Sequence, residues 1–326
     1  MKLRRISIVA LLLAAVFLLS ACSTGVVKST EEEARVVGAC GEHEIRYEEL
    51  RYLTMHYKAD LAAKYGDYIF DAAATGESYE EELWTLVSNA LRESYATVEL
   101  CAEKGVKTTD KITQNEVQEY VDETVDYFGG KEGYLEYLAA NFMTDTVFRF
   151  NTALLSCQYR YYDLLAAELN KEAYDAVMAG DGFIRTRSIF VKNDEGESVS
   201  ENRKMAQTVV DAVRNGASVA DYIGTRYNQD TSNCDYYFMR GYFVEEYETA
   251  AFALAVGEVS DVVETPEGFY VIQRMEPDAG YFADNVDTLV AMYVSCRMNG
   301  DAAAIAERLA LTWNEYGESI TLWSMQ

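Results

Sequence analysis

Apolar positions recur with a helical period through the first half of the chain. Within Tyr47–Tyr65 the residues Leu50, Leu53, Tyr57 and Leu61 share one side. Ser78 and Glu81 have capping-box spacing and open a second helix, which carries Leu83, Val87, Leu91, Val98 and Cys101 and ends at Gly105. Val117, Val121, Val125 and Phe128 keep phase over Asn115–Phe128, and Gly129-Gly130 stops that helix. A short helix over Glu132–Asn141 follows. A long one then starts at Thr144 and carries Val147, Phe150, Leu154, Cys157 and Tyr161. Ahead of them, Arg35–Cys40 and His43–Ile45 read as two short strands around a Gly41-Glu42 turn. Arg46 stands where a capping side chain would be expected.

The period changes in the second half. Asp175–Gly182 reads as a linker, and Phe183–Lys192 alternates as a strand. A charged loop over Asp194–Ser200 leads to a helix over Asn202–Asn215, and a short helix follows over Val219–Ile223. Asp235–Met239 is an aromatic strand broken by Arg240-Gly241. Glu246–Leu254 is a short helix with Gly257 just past its end, a position that favours a left-handed residue. Phe269–Arg274 alternates again after the turn Glu264-Thr265-Pro266-Glu267-Gly268. From Asp284 to Tyr316 the pattern is helical, and Ile320–Trp323 looks like a last strand. The order β-α-α-β-α-β beside an all-helical half predicts an α+β chain.

Residues 1–21 combine Lys2, Arg4 and Arg5 with the apolar run Ile6–Leu19, which is too short for an ordinary membrane span. The run ends in Leu19-Ser20-Ala21-Cys22, a lipobox-like string. This predicts a lipoprotein signal peptide and lipidation at Cys22, with a plain signal peptide as the alternative. Residues 22–34 are polar and read as a tether. The chain holds 28 basic and 54 acidic residues. Removing the three basic residues of the signal leaves 25 against 54, a net charge of −29. Such a surface excludes nucleic acid as a partner and favours cationic or neutral ones. The spacing of the cysteines and of the two histidines, His43 and His56, argues against a metal site or a disulfide scaffold. Cys101 and Cys157 fall on apolar faces and read as core. Among 25 tyrosines, Tyr159, Tyr161 and Tyr162 cluster. The apolar stripes fit helix packing, or a tyrosine-lined cleft for unfolded segments.

Asp235–Met275 also carries a resemblance. Arg240-Gly241, Glu246-Tyr247-Glu248, Ala250-Ala251-Phe252-Ala253-Leu254, Val256-Gly257-Glu258-Val259-Ser260, Val263, Thr265, Gly268 and Ile272 are in register with the parvulin family of peptidyl-prolyl isomerases. The string from Val36 to Leu50 resembles the opening of the PrsA- and SurA-type chaperone domain. Beside the signal over 1–21 and the tether over 22–34 read from the residues, the resemblance implies a helical chaperone domain over 35–178. It implies a parvulin-like domain over 183–277 and a segment 284–326 that returns to the first domain. It also implies a membrane-anchored extracytoplasmic folding factor, needing no cofactor and no metal. Its partners would be unfolded or proline-containing secreted polypeptides, with the oligomeric state open between monomer and homodimer.

The family pairs a proline pocket with a polar cluster. The pocket positions match Phe243, Tyr247 and Asp235, the last a polar substitution. The polar cluster matches Asp230, Thr265, Ser188 and Tyr270, the last two standing where the family carries histidines. Prolyl isomerisation breaks no covalent bond. It requires the amide to twist over ~18–20 kcal/mol, so a site that prefers the twisted amide suffices. Weakened isomerase activity and a holdase with a retired site therefore both stay open. A solute- or cell-wall-binding lipoprotein ranks last, since no periodic α/β units occur.

Overall fold

The computed structural model describes residues 29–66, 69, 77–168, 182–193, 198–228 and 235–325. The signal segment, Cys22, the linker up to residue 181, most of the charged loop, Asp230 and Cys234 lie outside these residues. The chain divides into two compact units, 1–161 with 301–326, and 162–300. The fold class is α+β, with helices beside two small antiparallel sheets.

The first unit opens with β1 (Val36–Cys40) and β2 (His43–Arg46). Helices α1 (Tyr47–Tyr65), α2 (Glu77–Glu103), α3 (Lys111–Tyr127), α4 (Lys131–Ala140) and α5 (Asp145–Glu168) follow. Arg46 offers α1 no side-chain cap. The Tyr47 and Glu48 N–H groups instead donate to the Arg35 and Glu33 carbonyls, so the preceding backbone closes the helix start. Helices α3, α4 and α5 bury Val117, Val121, Leu138, Val147 and Phe148 in one core. α3 begins at Lys111, before the expected Asn115, because Thr113 is buried inward and its hydroxyl donates to the Lys107 carbonyl. Cys101 and Cys157 are buried, and burial pushes the Cys101 thiol up to about 12. Tyr161 is core while Tyr159 is exposed.

The last strand differs from expectation. It is β7 (Leu311–Trp313), and Ile320–Trp323 contains no strand. The chain leaves its last long helix at Arg308 and pairs antiparallel with the open edge of β1, giving the order β2-β1-β7. Trp313 then meets Trp84 edge-on at 5.3 Å. A short helix, α10 (Glu315–Glu318), and a 3-10 turn (Leu322–Ser324) with Leu322 buried complete this unit.

The second unit holds β3 (Ile184–Lys192), α6 (Val199–Arg214), a 3-10 turn (Val219–Tyr222) and β4 (Asp235–Phe238). Then come α7 (Glu245–Ala253), β5 (Val263–Thr265), β6 (Gly268–Met275), α8 (Ala279–Asp284) and the start of α9 (Val286–Arg308). Ser198 caps α6, accepting from the Glu201 N–H, and Ser218 with Asp221 makes a capping box on the turn. The antiparallel sheet runs β4-β3-β6-β5. Its two faces are covered differently. Ile189, Val191, Phe269 and Val271 pack against Ala206, Val209 and Val210 of α6. Ile184, Phe238 and Ile272 pack against Tyr247 and Ala251 of α7. At Gly268 a Cβ would lie 2.3 Å from the Val191 carbonyl, so glycine is what lets β6 approach β3 there. Gly257 adopts φ +88°, the left-handed conformation expected past α7.

Candidate functional site

Strand alternation decides which side chains share the α7 face. On β3 these are Thr186, Ser188 and Phe190, on β6 Tyr270 and Ile272, and on β4 Tyr236 and Phe238. Tyr247 of α7 comes down on them. Its ring is 1% exposed, and its hydroxyl lies 2.9 Å from Thr186 Oγ1 and donates to Ser188 Oγ at 3.3 Å. Tyr270 meets Tyr247 edge-on at 5.0 Å and stacks on Phe190, its cross-strand partner, at 4.4 Å. Phe243 leans on Tyr247 at 4.6 Å and meets Phe238 and Tyr236 edge-on. The result is an aromatic nest over two buried hydroxyls, Thr186 and Ser188.

Four of the residues expected from the sequence therefore meet: Ser188, Tyr247, Tyr270 and Phe243. Tyr247 forms the floor rather than an open wall, because its ring and hydroxyl are already covered. Thr265 is separate. Its hydroxyl donates to the Gly268 carbonyl at 3.0 Å and closes the β5-β6 turn. Asp235 lies on the other face of the sheet. It is the register partner of Arg187, and opposed residues point the same way. Its carboxylate accepts from Arg187 Nε and Nη2 at 2.5 and 2.9 Å and from Arg185 Nη2 at 2.9 Å. The Arg187 guanidinium holds the Asp235 carboxyl below the usual range, with Arg185 adding to the effect against partial burial. A carboxylate so engaged does not wet the aromatic nest, and Tyr236 takes its place there. Asp230 lies outside the described residues. The chain just before it is pinned, since buried Asn228 accepts the Phe190 N–H at 3.1 Å.

Sequence reasoning missed three residues. Tyr236 was hidden by the one-residue offset that alternation imposes. Thr186 was hidden because its bonding role exists only once Tyr247 is overhead. Glu248 was read as part of a matching string, yet its carboxylate accepts three backbone N–H groups in the turn that carries Phe243. Its position four residues after the helix entry was the available signal. Among the described residues no group of His, Cys, Asp and Glu is placed to hold a metal ion. No helix among them is long and apolar enough to cross a membrane.

Residues 162–278 match the model of the PPIC-type PPIase domain. The chain is 24% identical over 184 residues to the foldase protein PrsA of Staphylococcus aureus (strain MRSA252), which is 52% of this chain and 55% of that protein. It is 50% identical over 40 residues to the peptidyl-prolyl cis-trans isomerase ssp-1 of Neurospora crassa, 12% of this chain and 22% of that protein. The chain thus spans about half the length of the PrsA relatives it matches. Among solved structures, the peptidylprolyl isomerase PrsA of Bacillus anthracis aligns with a TM-score of 0.38 at 16% identity, covering 67% of this chain and 94% of that one. The stretch 162–278, which includes β3 through β6 and the aromatic nest, is thus the part of the chain similar to the PPIC-type PPIase domain, in agreement with the parvulin resemblance of its residues.

Proposed function

We propose that the chain is an extracytoplasmic folding factor that binds proline-containing segments at the aromatic nest and isomerises their X-Pro bonds. The observation that carries this is the convergence of Phe243, Tyr236 and Tyr270 above buried Tyr247, inside the matched domain. Aromatic faces suit a proline ring, and an apolar surround favours the twisted amide, which has lost resonance, over the planar one. The hydroxyls of Ser188, Thr186 and Tyr247 lie buried beneath the nest and bond to one another, so the amide meets aromatic faces with a polar layer under them rather than ring nitrogens. Activity should be weak, because two of those hydroxyls already bond to the third.

The remaining organisation is proposed with it. Lipidated Cys22 anchors the chain through a tether that ends where Ser29 and Glu33 bond to the first unit, shorter than the expected 22–34, and the helical region 35–178 with 284–326 binds unfolded secreted clients. The pairing of β7 with β1 supports the return of the C-terminal segment. Exposed Tyr127 and Tyr159 support client contact. Fatty-acid labelling tests the anchor, and equal label in wild type and Cys22→Ala would remove it. The isomerase reading is tested by NMR exchange spectroscopy on proline peptides with the full chain. Exchange several-fold faster than in buffer is expected. A rate equal to buffer, with aggregation of an unfolded client still slowed, leaves a holdase.

A further inference from the structure

Helix α7 begins without help from its N-cap residue, since Val244 has no side chain that can accept a bond. Glu248, one turn in, folds back over the start instead. Its Oε2 accepts the Gly241 N–H at 2.9 Å, and its Oε1 accepts those of Tyr242 and Phe243 at 2.8 and 2.9 Å. Three consecutive backbone donors around one anion form a nest, here filled by the chain itself. Glu248 is buried, so these charge-assisted bonds are shielded from water. The helix N-terminus adds its favourable dipole end.

The turn has two further fixings. Gly241 adopts φ +88°, which a side chain would strain. The Arg240 guanidinium lies 4.1 Å from the centre of the Phe252 ring. Behind the turn sits Cys296, buried and with its thiol pushed up by burial and by the Glu248 charge, an apolar backing. In front, Phe243 is set against Phe238 and Tyr247, while Tyr242 and Val244 are 53% and 50% exposed. Two exposed apolar side chains flanking a site aromatic, on a backbone held at three successive amides, make a preorganised contact surface.

We propose that Glu248 is the positioning residue for polypeptide recognition. It holds 240–244 so that Phe243 walls the proline site and Tyr242 and Val244 contact the residues on either side of the proline. This rests on the proline-peptide reading above. It makes the substrate a segment with apolar neighbours around its proline rather than an isolated X-Pro unit.

The test uses the full chain, nitrogen-15 labelled, with a peptide whose proline is flanked by aromatic and aliphatic residues and a second flanked by glycine and serine. In Glu248→Gln the amides of 241–243 are expected to lose protection. The Kd and KM for the first peptide should rise about tenfold, the order expected for losing a charge-assisted bond, with kcat within about twofold. The second peptide should bind more weakly to wild type and change little. Tyr242→Ala with Val244→Ala, which leaves the Glu248 bonds intact, should raise KM for the first peptide several-fold and serves if Glu248→Gln does not fold. Unchanged Kd in a folded Glu248→Gln chain whose 241–243 amides have lost protection would overturn the role. So would equal binding of both peptides by wild type. A wild type that binds but does not accelerate exchange refutes the isomerase reading alone, and the Kd comparison still decides Glu248. A wild type that binds neither peptide overturns both.

Discussion

Tyr247 and Ser188 are in direct contact, the phenol hydroxyl donating to the serine hydroxyl at 3.3 Å. The resemblance read from the sequence implies phenylalanine at position 247 and histidine at position 188, whereas here the Tyr247 hydroxyl points at Ser188. The imidazole of a histidine at 188 would need the space the phenol oxygen fills. Ser188→His alone should therefore overpack the nest and destabilise the second unit by ~1–3 kcal/mol. Tyr247→Phe alone removes bonds to Thr186 and Ser188 and should cost about 1 kcal/mol. Combined, the two should be more stable than Ser188→His by itself. Denaturant unfolding of the three variants checks this, and a single Ser188→His chain as stable as the double one would show that the hydroxyl is not the obstacle.

At the scale of elements, the junction of β2, α1 and α2 stores a pH dependence. Glu49 of α1 accepts from the Tyr95 hydroxyl of α2 at 2.8 Å, and the same hydroxyl lies 3.0 Å from the Glu44 carbonyl of β2. His43 stacks on Tyr95 at 4.9 Å and faces Glu99 at 3.7 Å. Burial pushes the Glu49 carboxyl from its ordinary 4.5 up to about 7, against the pull of Tyr95 and the Arg46 backbone. A carboxyl raised in the folded state favours folding when protonated. Its contribution is fully present below about pH 4.5 and is lost as pH rises through about 7. Asp235 works the other way and only in the acid range, since its lowered carboxyl stabilises above its unfolded value. The first unit should thus lose stability between pH 5 and 8 by ~1–3 kcal/mol, and Glu49→Gln should flatten that slope. Thermal unfolding across this range is the measurement, and a slope unchanged in Glu49→Gln would place the titration elsewhere.

The whole molecule is strongly acidic, at net −26, and no helix among its described residues supplies a span. If clients are held through that charge, a basic unfolded client should be protected from aggregation several-fold better at about 0.05 M salt than at about 0.5 M. An acidic client should show little protection at either. Light scattering with the full chain measures both, and salt-independent protection of the basic client would move recognition to the exposed aromatics instead.

The helical half, most of the β-α-α-β-α-β order and the breaks at Gly129, Gly241 and Gly257 were legible because they are local, written as periodicity and as residues that suit positive φ. The strand Val263–Thr265 was not, since its pairing with β6 takes up Glu264 and Thr265, which read as turn. The family resemblance was legible because its matches fall in one register within 235–275. Tertiary structure alone decided the rest. β7 falls at Leu311–Trp313 because the edge of β1 was open there, a fact no window of the C-terminal sequence contains. Asp235 leaves the site because its register against Arg187 sends it to the other face, and a one-residue offset reverses a side chain completely. Thr186 and Glu248 acquire their roles only from partners that folding brings overhead, since a hydroxyl or a carboxylate is defined by what it bonds. Sequence by itself set most of the helices, the longer strands and the chemistry available to them. Which of those groups meet was settled by strand register and by the way α7 lands on the sheet.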